Sequence, residues 1–175
     1  TVATSIGKEG FDKFYEGDKK TPIGIYKITG YKPDKTIAEK YGVGAFPLDY
    51  PNIWDQKRLR TGSGIWIHGM YKNMTSRPAR DSDGCVVLNN DDLHSIFDQL
   101  LDKNTPVILA ENAPLDFLIQ TGSNDDFRNI FDSWLSTWES RDVERYLSFY
   151  SPEFNNKGKN FNQWATHKRR VNKQK

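Results

Sequence analysis

The chain has 175 residues, enough for one domain and part of a second at roughly 150 residues per domain. Aromatic residues make up 13% of it, so the bulk for a core is present, and no apolar run approaches the ~18 residues of a membrane span, which excludes a transmembrane segment from the expectations. Net charge is +2, but residues 157–175 hold seven Lys/Arg and no acid, against 18 basic and 23 acidic residues in 1–156; with no nucleic-acid-binding signature beside it, the basic end reads as a solvated helix or frayed terminus, and nucleic acid is not an expected partner.

No basic n-region followed by an apolar h-region opens the sequence, and Thr1-Val2-Ala3-Thr4-Ser5 reads as the interior of a strand. Thr21 to Ile28 begins with Pro and Gly and then alternates apolar and polar residues, the pattern of a half-buried strand. Residues 33–60 are rich in Pro, Gly, Asp and aromatics without a sustained period, and read as a long irregular excursion of the kind that forms lids. Gly64 to His68 is a short apolar strand, Gly69 to Gly84 a polar surface loop, and Val86-Val87-Leu88 a second brief strand.

Asn89 or Asn90 then caps a helix whose stripe is Leu93, Ile96, Phe97, Leu100 and Leu101. Thr105 to Ala110 is expected to be a strand that closes the sheet. After residues 120–123 the character changes: Asn124 caps an amphipathic helix bearing Phe127, Ile130, Phe131, Trp134, Leu135 and Trp138, and a second helix carries Val143, Tyr146, Leu147 and Tyr150 before Ser151-Pro152 ends it. Both helices are too apolar to face solvent and are expected to pack on something. A domain boundary is placed near 120–124.

The chemistry centres on Cys85, the one cysteine of the chain, seventeen positions after His68. One thiol forms no internal disulfide and no Cys-x-x-Cys motif, and no His/Cys/carboxylate group has metal-ligand spacing, so neither metal nor cofactor is expected. A lone cysteine is more often a small buried hydrophobe. Here Gly84 before it permits close approach of backbone to a ligand, and the Gly84 and Cys85 amides could share one oxygen as an oxyanion hole. His68 ends an apolar strand and is followed by glycine, a rigid place from which to take the thiol proton, whereas His94 and His167 read as surface residues.

Four segments carry a resemblance that covers roughly residues 1–120: Ser5-Ile6-Gly7-Lys8, Thr21-Pro22-Ile23-Gly24-Ile25-Tyr26, His68-Gly69, and Ser82-Asp83-Gly84-Cys85 with an apolar residue after it. In order and spacing they resemble the L,D-transpeptidase (YkuD-type) catalytic domain. Phe127 to Phe154 is similar to the opening helices of an NTF2-like domain, and the two in tandem are similar to the cell-shape-determining L,D-carboxypeptidases of helical Gram-negative bacteria.

The resemblance implies a mainly β catalytic domain over 1–120, sandwich- or barrel-like with one helix, and a partial NTF2-like helical segment over 124–175, α+β overall. It implies Cys85 as nucleophile, His68 as base, and a backbone carbonyl, with Gly69 preferred to Asp83, to orient the imidazole. The substrate would be a peptidoglycan tetrapeptide stem in the periplasm. Many members carry a basic residue where Asp83 and Val87 stand here, so positive charge for the substrate is sought elsewhere: Arg80 first, then Arg77, Lys72 and Lys27, with Ser82 and Asp83 beside the substrate. The expected activity is removal of the terminal D-Ala. The alternatives are 3→3 cross-linking through the same thioester, a non-catalytic peptidoglycan-binding module, and a scaffold that dimerises through the helices after Asn124. Oligomeric state is left open.

Overall fold

Short strands, most with β-branched or aromatic residues, build the first part of the chain. They are β1 (Thr4–Gly7), β2 (Gly24–Lys27), β3 (Lys32–Pro33), β4 (Gly44–Pro47), β5 (Trp66–His68), β6 (Arg80–Ser82), β7 (Val86–Leu88) and β8 (Pro106–Leu109). Six of them form one mixed sheet in the order β3-β4-β5-β7-β1-β6, in which β5–β7 and β1–β6 are parallel and the other neighbours antiparallel. The computed structural model describes residues 2–102, 104–112 and 124–173, which fall into two units, Thr1–Ala113 and Pro114–Lys175. The whole is α+β.

One face of this sheet is the core. Phe46, Ile67 and Val86 stand opposite one another across β4, β5 and β7, and they pack with Ile65, Leu88, Tyr26, Leu93 and Leu100. Three short helices accompany the strands. The first, α1 (Ile53–Lys57), starts at Asn52, whose side chain caps it in a reciprocal box with Asp55. The stripe from Leu93 to Leu101 is helical and Asn89 is the cap, but the helix breaks at Ile96 (φ −112°, ψ 11°) into α2 (Asn90–Ser95) and α3 (Phe97–Leu101).

Several expectations are corrected. Strand β8 does not close the main sheet; it pairs antiparallel with β2 in a separate two-stranded ribbon. The stretch 33–60 is less irregular than its composition suggests, because it holds β4 and α1. Strand β4 is Gly-Ala-Phe-Pro, buried on both faces, and so shows no alternation. The polar loop 69–84 likewise contains β6, which pairs parallel with β1.

Beside the sheet, residues 12–20 fold around a buried ion pair. Lys13 Nζ lies 2.7 Å from Asp18 Oδ1, and each side chain is only 4% exposed. Burial alone would raise the Asp18 carboxyl, but Lys13 and the amides of Phe14, Lys20 and Tyr15 outweigh it and hold it below the usual carboxylate value. Lys13→Met strands a buried carboxylate and is expected to cost about 3–5 kcal/mol in urea unfolding. Because the folded carboxyl is the more acidic one, its contribution is present above about pH 4 and fades as pH falls through the lowered folded value. A cost below about 1 kcal/mol would show that the pair does not hold this loop.

The second unit contains α4 (Asn124–Glu139), α5 (Val143–Ser148), a small hairpin of β9 (Asn155–Asn156) and β10 (Lys159–Asn160), and α6 (Phe161–Lys173). Asp142 caps α5 by accepting from the Arg145 amide. The basic end is not merely a solvated helix. Trp164 and Ala165 on α6 are buried against Tyr146 and Leu147, with Trp134, Tyr150 and Phe154 around them. Lys168 also turns inward, its ammonium 4.6 Å from the centre of the Trp138 ring and within cation–π range of Tyr146 and Trp164. The apolar stripe of α4 is only partly covered among the described residues: Trp134 is half-buried, while Phe127 and Ile130 are 72% and 60% exposed.

Candidate active site

The second face of the sheet carries the candidate residues Cys85 and His68, and strand register explains why. His68 pairs with Val87 and Ile67 with Val86 across parallel β5 and β7, so Cys85, one residue before β7, stands level with Trp66. Alternation then puts Trp66, His68 and Cys85 on the face opposite Ile67. Two residues of rise and one inter-strand step separate the Cα atoms of His68 and Cys85 by about 8 Å. Both side chains line one cavity of about 570 Å³, together with Lys40, Tyr41, Gly64, Arg77 and Asp83.

The imidazole is buried, 5% exposed, and its Nδ1 lies 2.5 Å from the Gly69 carbonyl oxygen. A carbonyl can only accept, so Nδ1 carries the proton and Nε2 is left as a base. The Tyr41 ring meets the imidazole edge-on at 4.9 Å and also packs on Trp66. Burial above all pushes the imidazole down to about 4; the Gly69 contact pulls it up, and the charges of Arg77 and Lys40 push it further down.

Cys85 is half-buried, and its thiol donates to the Gly64 carbonyl at 3.4 Å. Burial raises the thiol above its usual value, with Asp83 adding to the rise; the Trp66 amide, Lys40 and Arg77 oppose it. At neutral pH the resting pair is therefore a neutral thiol and a neutral imidazole. To meet Nε2, the thiol proton must leave Gly64.

The turn before the sulfur is tied down by two hydroxyls. Ser82 Oγ donates to the Cys85 carbonyl at 2.6 Å and accepts from the Gly84 amide at 3.1 Å. Thr21, fully buried, accepts from the Gly7 amide at 2.9 Å and donates to the Gly84 carbonyl at 3.0 Å. Gly84 has φ +129°, and a Cβ there would come within 2.7 Å of the Lys20 carbonyl oxygen, so no other residue fits without moving backbone.

The site residues singled out in the sequence fare differently. His68, Gly69 and Cys85 come together as described. Ser82 is a turn clasp, and the Gly84 amide is already engaged by it, which leaves the Cys85 amide as the better donor for an oxyanion. Asp83 lies on the rim, its side chain 79% exposed and 3.4 Å from Lys8. Arg80 is exposed, with its guanidinium beside Gly10, and it is not among the cavity residues; Arg77 and Lys40 are. Lys72 pairs with Asp34, and Lys27 belongs to the β2–β8 ribbon. Tyr41 and Lys40 had no signal of their own in the sequence, since Tyr41 meets Trp66 and His68 25 and 27 positions away; Thr21 opens one of the four segments of the resemblance, but its clasp on Gly84, 63 positions on, did not show there.

A thiol and an imidazole on one face of a mixed sheet, with a carbonyl on Nδ1, form an arrangement of the cysteine acyl-transfer class. The L,D-transpeptidase catalytic domain (YkuD) family model matches residues 1–109, and the chain belongs to that family. Residues 126–175 match the model of a Cds6 C-terminal NTF2-like domain. Among solved structures, the helical cell shape determining protein Pgp2 from Campylobacter jejuni is 29% identical with a TM-score of 0.74, and Bd1075 from Bdellovibrio bacteriovorus is 30% identical with 0.73. Each match covers 98% of this chain but only 59% and 60% of those chains, so the chain spans about three fifths of their length. No curated protein sequence matches the chain. Among the described residues no helix is long and apolar enough to cross a membrane.

Proposed function

We propose that residues 1–120 form a periplasmic L,D-carboxypeptidase domain that removes the terminal D-Ala from peptidoglycan tetrapeptide stems, followed by an NTF2-like segment over 124–175. The observation that carries this reading is the register that puts Cys85 and His68 side by side in one cavity, with Gly69 fixing the tautomer. Family membership supplies the substrate class, and the likeness to a cell-shape determinant supports a role in shaping the wall.

In the proposed reaction His68 Nε2 takes the Cys85 proton as the sulfur attacks the carbonyl carbon at the L-centre of diaminopimelate. The Cys85 amide holds the negative oxygen, joined by the Gly84 amide if Ser82 releases it. The imidazolium passes its proton to the D-Ala nitrogen, the C–N bond breaks, and a thioester remains. Water, deprotonated by His68, then adds to the thioester carbonyl; the sulfur leaves and regains a proton, giving a tripeptide acid.

Mass spectrometry of tetrapeptide muropeptides incubated with the protein tests this. Loss of one alanine is expected. Dimeric products would move the reading to 3→3 cross-linking, and an unchanged substrate would move it to a binding module.

A further inference from the structure

Cutting off one terminal residue requires reading the end of the stem, and the basic residues that many family members carry beside the cysteine are replaced here by Asp83 and Val87. Of the four cationic residues that line the cavity, Lys8, Lys13, Lys40 and Arg77, the last two come from separate loops. Lys40 lies on the 3₁₀ turn Glu39–Tyr41, and Arg77 on the segment between β5 and β6. Each charge acts on both the Cys85 sulfur and the His68 ring, so both stand within electrostatic reach of the reacting atoms.

Their donors are not used up. Arg77 Nε donates to Asp81 Oδ2 at 3.0 Å and Nη2 to the Asp81 carbonyl at 2.8 Å, which fixes the plane of a guanidinium only 18% exposed. Nη1 has no hydrogen-bond partner among the described residues. Lys40 has no carboxylate within ion-pair distance among those residues, and its ammonium lies 5.0 Å from the centre of the Tyr41 ring. The other cavity lysines are committed, Lys8 to Asp83 and Lys13 to Asp18. Of the lining carboxylates, Asp81 and Asp83 are paired in the same way, and Glu16 lies with Lys13 beside Gly62.

We propose that Lys40 and Arg77 together seat the free α-carboxylate of the departing residue, so that the site accepts a stem terminus and rejects an internal bond. In D-Ala that carboxylate is separated from the scissile nitrogen by one carbon, which is why its cations must also face the sulfur and the imidazole. A fixed guanidinium and an uncommitted ammonium supply charge-assisted hydrogen bonds that a neutral carboxamide does not recruit. The inference rests on the hydrolytic reading above and deepens it.

Two peptides test it, a tetrapeptide stem ending in D-Ala and the same stem ending in D-alaninamide. For the parent protein kcat/KM is expected to favour the acid by about 10²-fold. In the Lys40→Gln/Arg77→Gln protein the ratio should fall to about 1, and in Lys40→Arg/Arg77→Lys most of it should return. Lys40→Gln alone, at an exposed position, should lower the ratio about tenfold and guards against a double variant that folds poorly. A parent ratio near 1, or an undiminished ratio in the double Gln variant, overturns the proposal. Calorimetric binding of both peptides to the Cys85→Ala protein separates the two readings. Preference for the acid without turnover by the parent keeps the carboxylate seat and removes the hydrolase; equal binding of both peptides removes the seat.

Discussion

Cys85→Ala should reduce release of alanine from tetrapeptide stems by about 10⁴-fold or more, to the level of a no-protein control. The magnitude follows from the mechanism, in which the sulfur is the atom that forms the covalent bond and no second thiol exists in the chain to replace it. Binding should survive, because the sulfur adds little to the 570 Å³ cavity and the cations on its walls are untouched. Cys85→Ser is expected to be almost as poor, since an alkoxide is far harder to generate than a thiolate beside the same imidazole. Product formation by Cys85→Ala within tenfold of the parent would end the mechanism whatever the products are.

The second large effect belongs to His68. The resting thiol is protonated, so without a base the nucleophile is scarce at neutral pH, and His68→Gln should lower kcat/KM by about 10³-fold. That loss should shrink as pH rises and solvent ionises the thiol, whereas the Cys85→Ala loss stays flat. In the parent, the acid limb of kcat/KM should fall near pH 4 rather than near 6.5, because burial keeps the imidazole neutral down to about 4. The same shift acts on stability. The unfolded chain takes up a proton near 6.5 that the folded chain refuses, so stability is complete above that pH and is lost as pH falls toward 4, by up to about 3 kcal/mol. His68→Gln should flatten that slope in denaturant titrations from pH 7 to 4. An acid limb that stays near 6.5 would mean that the ring is solvated when substrate binds.

The candidate thiol, imidazole and carbonyl stood out in the sequence because each lies in a short local pattern, a strand ending in His-Gly and a turn ending in Gly-Cys, and the fold brings Cys85, His68 and Gly69 to one cavity. Strands β5 and β7 were readable for the same reason, as brief apolar runs, the first between Gly64 and Gly69 and the second between Gly84 and Asn89. What escaped was set by distant partners. Strand β4 is buried on both faces, with Tyr31 and Phe97 packed on Phe46, so it lacks the alternation that marks a strand. The polar residues of β6 gain their extended form from pairing with β1, more than seventy positions earlier. Arg77 lines the cavity and Arg80 does not, a difference set by strand alternation and turn geometry that a bare run of charges does not encode. In the second unit the aromatic pattern foretold helices, but the inward turn of Lys168 toward three rings runs against the ordinary reading of a basic tail.

The burial that keeps the Cys85 sulfur protonated has an effect beyond catalysis. Peroxides and foreign disulfides react with thiolates, and a thiol that holds its proton offers them a slow target. No second cysteine of this chain stands by to rescue an oxidised one, so under the proposed periplasmic function the lifetime of the site depends on the sulfur staying inert between substrates. In the proposed mechanism reactivity is conditional: the sulfur is armed only when its proton turns from Gly64 toward His68.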